Sequence, residues 1–223
     1  MSHTHILAID TTGAYGSIAL VRDGALVEEV PMHSPEGFGQ ILFQHIAALL
    51  DRHGLKPQDI ACFASATGPG SFTGVRIGLS AAKGLAESTG RKVAGVSNLR
   101  AIAAYGVGPL RAAVLDARRG EIYGAVYDSG LRIVQEEIVR PFAAWIDGLP
   151  DGVVEFVTQD ATVFAGAIAG HPRFASAAVR QAPRALAGAI GEIAAKDGVF
   201  LDPVELDANY VRRSDAELMW KEA

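Results

Sequence analysis

Cysteine is almost missing from this chain. Cys62 is the single one, which excludes an internal disulfide and suits a reducing compartment. It lies in the apolar run Ile60-Ala61-Cys62-Phe63-Ala64-Ser65-Ala66 and reads as a small buried hydrophobe. An excess of basic charge is missing as well. The 20 Lys and Arg stand against 25 Asp and Glu, a net charge of −5, so no autonomous nucleic-acid-binding face is implied. Although 49% of the residues are hydrophobic, no run approaches the roughly 20 apolar residues of a membrane-crossing helix. The start Met1-Ser2-His3-Thr4-His5 lacks the basic opening of a secretory leader. A cytoplasmic protein without membrane association is therefore expected.

Several reaction signatures are absent too. The six histidines form neither His-x-x-x-His nor His-Glu-x-x-His. His45 and His53 are eight apart, about 12 Å along a helix, which is too far to share one ion. No Gly-x-Ser-x-Gly nucleophile elbow occurs.

What is present begins with Gly68-Pro69-Gly70-Ser71-Phe72-Thr73-Gly74-Val75-Arg76-Ile77-Gly78. It follows the strand-like run 60–66 and opens a helical run over about 73–89. A turn of this kind frees backbone N–H groups at a helix start, where an anion can sit, or it lets another backbone come close. It is not a Walker A loop, because Val75-Arg76 stands where Lys-Ser/Thr is required. Packing and anion binding both remain open at this point.

The chain also repeats itself. Ile6-Leu7-Ala8-Ile9-Asp10 and Ala113-Val114-Leu115-Asp116 are apolar strands ending in Asp, each followed by a hairpin whose turn ends in Gly. Asp116 follows Asp10 by 106 positions, and Gly130 follows Gly24 by the same interval. Asp23-Gly24 and Ser129-Gly130 are the hairpin signals. Strands over 5–10, 15–22 and 25–31 precede a helix near 37–53, a strand 60–66, the helix 73–89, a strand 92–96 and a short helix 98–105. Gly54 and Gly90 stand where helices end. The second half opens likewise, with a helix near 141–147 and a strand near 153–158. It then blurs over the Ala- and Gly-rich residues 161–182, before a last helix near 184–197. This is an α/β layout with a mixed sheet in each half. The expected division is an N-terminal lobe over 1–106 and a C-terminal lobe over 107–223, parted at Gly106-Val107-Gly108-Pro109.

Two helices carry unusual faces. Phe38, Ile41, Leu42, Phe43, Ile46, Ala47, Leu49 and Leu50 spread over roughly 240° of a wheel, far wider than the stripe a surface helix needs. The excess is covered within the domain or by a partner. In the next helix Gly74, Gly78, Ala81 and Ala82 form a small-residue ridge, whose glycines cost up to about 1 kcal/mol each relative to alanine and so point to a packing reason. Opposite lies a polar stripe, Arg76, Ser80, Lys83 and Glu87. Asp10 and Asp116 are the candidate carboxylates. Each reads either as a phosphate and Mg²⁺ residue or as an Asx turn cap, and for Asp116 the neighbours Arg118 and Arg119 invite an ion pair.

Taken together, Ile6 to Thr12, Gly68 to Gly78, Gly95-Val96-Ser97-Asn98-Leu99, Asp116-Ala117-Arg118-Arg119-Gly120-Glu121-Ile122-Tyr123 and the ending Pro203 to Tyr210-Val211-Arg212 resemble the TsaB (YeaZ) family. Residues 161–200 match it weakly. The resemblance implies a duplicated actin/Hsp70/sugar-kinase (ribonuclease H-like) fold, two lobes each with a mixed sheet flanked by helices. It implies a non-catalytic subunit that supports TsaD in forming threonylcarbamoyladenosine in tRNA next to the anticodon. TsaD is the implied partner, the ATPase TsaE joins the pair, and tRNA binds through the complex. ATP and a divalent metal then belong to the partner subunits, with none bound by this chain alone. Asn98 and Ile102 stand where the catalytic relative has a metal-binding His-x-x-x-His. The implied interface comprises Phe38, Ile41, Leu42, His45, Ile46, Leu49, Gly74, Arg76, Gly78, Ser80, Ala81, Ala82 and Lys83, which would also serve a homodimer. Residues toward a cofactor, if any, are Asp10, Thr11, Thr12, Asp116 and Arg118. The rival readings are an ATP-dependent phosphotransferase acting through Asp10, Asp116 and the Gly68–Gly74 turn, and a glycoprotease-type metallopeptidase.

Overall fold

The structure, a computed structural model, describes residues 3–211. The described residues divide into two compact units, 3–98 with 184–210 and 99–183 with 211. The first holds a five-stranded sheet. Strands β1 (His5–Asp10), β2 (Tyr15–Arg22) and β3 (Ala25–His33) form an antiparallel meander. Strands β4 (Ile60–Ala66) and β5 (Lys92–Val96) run parallel to β1, giving the order β3-β2-β1-β4-β5. Parallel central strands are covered on both faces, which accounts for the continuous apolar run of β4. Asp23 and Gly24 both take positive φ, as a two-residue hairpin requires.

One face of this sheet carries α1 (Leu42–Arg52) and α2 (Phe72–Thr89), over a core that includes Leu7, Ile9, Ile18, Leu20, Phe63, Ile46 and Leu79. The helix expected from residue 37 begins later, because Phe38–Gln40 forms a separate 3-10 turn. Ser71 caps α2, its Oγ accepting from the Gly74 N–H, and Gly90 ends the helix in the left-handed conformation.

The second unit repeats the plan. Strands β6 (Leu110–Arg118), β7 (Glu121–Asp128) and β8 (Ile133–Pro141) form the meander, and β9 (Val154–Thr158) and β10 (Val179–Gln181) run parallel to β6. The order β8-β7-β6-β9-β10 reproduces that of the first sheet strand for strand. Helices follow at matching places: α3 (Asn98–Ala103) after β5, α4 (Phe142–Asp147) after β8, α5 (Ala161–Ala169) after β9 and α6 (Ala187–Asp197) after β10. An aromatic cluster forms here, where Phe142, Trp145, Phe156, Phe164 and Phe174 pack together. The second hairpin differs from expectation. Ser129-Gly130 is not its two-residue turn: Asp128 Oδ1 accepts from the Gly130 and Arg132 N–H groups, and Leu131 takes the left-handed conformation. A longer loop results.

The lobe expected over 107–223 gives up residues 184–210 to the first unit. Helix α6 lies on the face of the first sheet away from α1 and α2. Gly191 permits this, since a Cβ there would stand 2.6 Å from a methyl of Val21 and 3.2 Å from Ala8 Cβ. The helix start is held by β2 and β3. Ser17 Oγ accepts from the Leu186 and Ala187 N–H groups, and Glu29 accepts from the Gly188 N–H and the Ser17 hydroxyl. A strap then returns past β5, with Leu201 bridged to Val93, Leu206 buried and the Asn209 N–H on the Thr67 carbonyl. Arg212, the last residue of the family-like ending, lies outside the described residues. Among the described residues no helix is long and apolar enough to cross a membrane.

In the second unit Glu155 is 4% exposed. It accepts from the Val107 and Gly108 N–H groups and from Arg180 Nε. Burial works to raise its pKa, but the N–H bonds and the guanidinium outweigh it and hold the carboxyl below its ordinary value. A depressed folded pKa contributes stability above the unfolded pKa that is lost as pH falls through the folded value. Glu155→Gln is therefore expected to cost about 2 kcal/mol at neutral pH. It should also flatten the decline of urea midpoint below about pH 4, read by far-ultraviolet circular dichroism.

Candidate functional site

The loops after β1, β4 and β5 meet at one end of the first sheet. Asp10, at the last position of β1, is 2% exposed. Its Oδ1 accepts from the Thr12 N–H at 2.9 Å and from the Thr12 hydroxyl at 2.6 Å. Asn98 Nδ2 donates to Thr12 Oγ1 at 2.7 Å, and Asn98 Oδ1 accepts from the Gly68 N–H at 3.1 Å. The Asn98 N–H returns a bond to the Gly68 carbonyl. Burial pushes the Asp10 carboxyl above its ordinary value, and hydrogen bonds from Thr12 and Asn98 partly offset this. Of the two sequence readings of Asp10, the turn cap is the one its contacts describe.

The Gly-rich turn closes on the same loop. The Ser71 N–H donates to the Thr12 carbonyl at 2.7 Å and the Thr11 hydroxyl to the Gly74 carbonyl at 2.7 Å. A Cβ on Gly70 would lie 2.7 Å from Thr12 O, one on Gly74 2.0 Å from Thr11 O, and one on Gly78 2.8 Å from Thr11 Oγ1. Tight packing is thus what these glycines serve. Asn98 is a bridge between loops and Ile102 is buried core. Cys62 is buried, which pushes its thiol up to about 12 and leaves it inert as a nucleophile.

Asp116 occupies the matching place in the second unit but a different setting. It is exposed, and its Oδ1 accepts from the Arg118 N–H at 2.8 Å. Arg118, Arg119 and Gly120 follow with positive φ. Asp116 therefore shapes a turn through a backbone donor, a contact different from the ion pair expected of it.

The expected interface divides sharply by burial. Phe38, Leu42, Ile46 and Leu49 belong to the core of their own unit. Gly74, Gly78, Ala81 and Ala82 are likewise buried, the two glycines against Thr11 of β1's loop. The small or apolar surfaces of these eight meet their own unit, unlike the outward position expected of them. What α1 presents outward is Phe43, 55% exposed, with exposed Ala47 and Ala48 and half-buried His45, while Ile41, just before the helix, packs against the core. What α2 presents is exposed Arg76, Ser80 and Glu87 with half-buried Lys83. Phe43 was part of the apolar arc but not of the expected interface. Phe72 and Tyr210 also stand outside the expected set. Tyr210, 48% exposed, stacks on Phe72 at 4.8 Å. Arg76 lies 3.9 Å over Phe72 and donates from Nε to Tyr210 Oη. No periodic signal joins positions so far apart in sequence.

Two matching sheets of order 3-2-1-4-5, each with helices after its third, fourth and fifth strands, define a duplicated actin-like fold. Solved structures agree. YeaZ from Pseudomonas aeruginosa is 24% identical with a TM-score of 0.78, covering 93% of this chain and 99% of that one. The (R)-2-hydroxyglutaryl-CoA dehydratase component A of Acidaminococcus fermentans is 10% identical with a TM-score of 0.52, covering 87% and 98%. Residues 30–187 match the family model described as TsaD: tRNA N6-adenosine threonylcarbamoyltransferase. The tRNA threonylcarbamoyladenosine biosynthesis protein TsaB of Bacillus subtilis is 32% identical over 231 residues, covering 98% of both chains. The Escherichia coli protein of the same name is 39% identical over 126 residues, 55% of this chain and 54% of that one. The chain belongs to the TsaB family.

Proposed function

We propose that this chain is the TsaB subunit of the machinery that builds threonylcarbamoyladenosine in tRNA, without turnover of its own. Its likeness to Bacillus subtilis TsaB along the whole length carries this reading. The binding of Asp10, Thr11 and Thr12 to neighbouring loops supports the non-catalytic part, since these groups are engaged in holding the fold. The subunit pairs with TsaD through the outward faces of α1 and α2. TsaE joins the pair, tRNA is held by the complex, and ATP and the divalent metal belong to the partners. The cytoplasm is the place of action.

Reconstitution tests it. Purified TsaD, TsaE, tRNA and threonylcarbamoyl-adenylate are combined with and without this chain, and the modified nucleoside is measured. Modification should require the chain together with TsaD, and the chain alone should yield none. Equal modification without the chain would overturn the role, and product from the chain alone would overturn its non-catalytic part.

A further inference from the structure

The cluster of Arg76, Phe72 and Tyr210 is a braced cation on the outward face of α2. An exposed arginine normally samples many rotamers, and fixing it costs about 2 kcal/mol of side-chain entropy. Here the guanidinium carbon lies over the Phe72 ring, 3.9 Å from its centroid, and Tyr210 Oη accepts its Nε–H at 3.2 Å. The two rings also stack on each other, so each of the three groups steadies the others. Among the described residues Arg76 has no carboxylate partner. Among the described residues one of its five N–H donors is used, by Tyr210, which leaves the two Nη groups as a fork whose geometry matches a carboxylate.

We propose that Arg76, held by Phe72 and Tyr210, is a preformed socket for an Asp or Glu side chain of the partner protein, with Lys83 two turns along the same stripe as a second, looser contact. This rests on the pairing with TsaD proposed above. It adds the chemistry of the contact and gives the strap that carries Tyr210 a positioning role. A carboxylate on a protein suits this face better than a nucleic-acid phosphate. Glu87 lies on the same stripe, the chain carries a net charge of −5, and the flanking α1 surface offers Phe43, Ala47 and Ala48. Holding the guanidinium in advance lowers the ordering cost of association.

The test is titration calorimetry of the full chain with its TsaD partner. Arg76→Gln should weaken binding about tenfold or more, an effect that shrinks in 0.5 M salt. Arg76→Lys keeps the charge, loses the fork and should recover only part of the loss. Tyr210→Phe keeps the stacked ring and removes the acceptor. It should weaken binding about threefold in the wild-type background and have no effect in Arg76→Gln, a non-additivity that a general structural role would not give. Wild-type affinity in Arg76→Gln would overturn the socket while leaving the pairing intact. So would unchanged association accompanied by weaker tRNA retention in the complex, which would assign Arg76 to RNA phosphate. No binding by the wild-type chain would overturn the pairing itself, and the socket with it.

Discussion

Gly74→Ala is expected to destabilise the first unit by about 3 kcal/mol or more. Ordinarily alanine in a helix interior gains up to about 1 kcal/mol over glycine. At residue 74 the added methyl would stand 2.0 Å from the Thr11 carbonyl oxygen and 3.0 Å from its carbon. Those are backbone atoms, and the Thr11 hydroxyl is meanwhile bonded to the Gly74 carbonyl, so neither segment can step aside alone. Relief requires moving α2 off β1's loop, which also parts the Ser71 N–H from Thr12 O. Gly84, in the same helix, has nothing within 4 Å of its virtual Cβ. Gly84→Ala should therefore raise stability. Urea unfolding of the two variants should shift in opposite directions, and a Gly74→Ala midpoint equal to wild type would refute the packing assignment.

A second pair separates fold from docking on α1. Leu42 is 1% exposed within the first core, and Phe43 beside it is 55% exposed. Leu42→Glu places an unpaired charge among Ile46, Leu49 and Phe38 and is expected to destabilise by about 4 kcal/mol or to prevent folding. Phe43→Glu should leave the unfolding midpoint within about 0.5 kcal/mol of wild type, as surface changes do. It should nonetheless weaken association with TsaD by about a hundredfold, the loss expected of an aromatic anchor at a docked face. Sedimentation and circular dichroism on both variants read these effects apart. Association unchanged in Phe43→Glu would remove α1 from the interface.

Much of the plan is legible in the residues because hairpins and buried parallel strands leave local patterns. Asp23-Gly24 announces its turn, and the spacing of Asp10 and Asp116 marks the duplication that the two sheets display. Helix α5 was blurred since Ala161–Ala169 contains little contrast between polar and apolar positions, and β10 is only three residues long. The loop after Asp128 departs from expectation because Ser129-Gly130 fits a tight turn locally, while the Asp128 carboxylate organises a wider one. The small-residue ridge of α2 carries the main lesson. Periodicity shows that Gly74, Gly78, Ala81 and Ala82 share a face, but nothing in it says whether the body they approach is a neighbour subunit or the helix's own sheet. Likewise the stacking of Tyr210 on Phe72 joins segments with no common pattern.

The seating of α6 on the first sheet has a consequence for biosynthesis. Strands β1 to β5 leave the ribosome early, yet one side of that sheet is finished only when residues 184–210 arrive. At about 5–20 residues per second, several seconds of translation separate the two events. During that interval Ala8, Val21 and the rest of the uncovered side face water, and a message truncated before codon 184 would leave them so permanently. The amino-terminal half of this polypeptide is thus not a module that can be moved or expressed by itself.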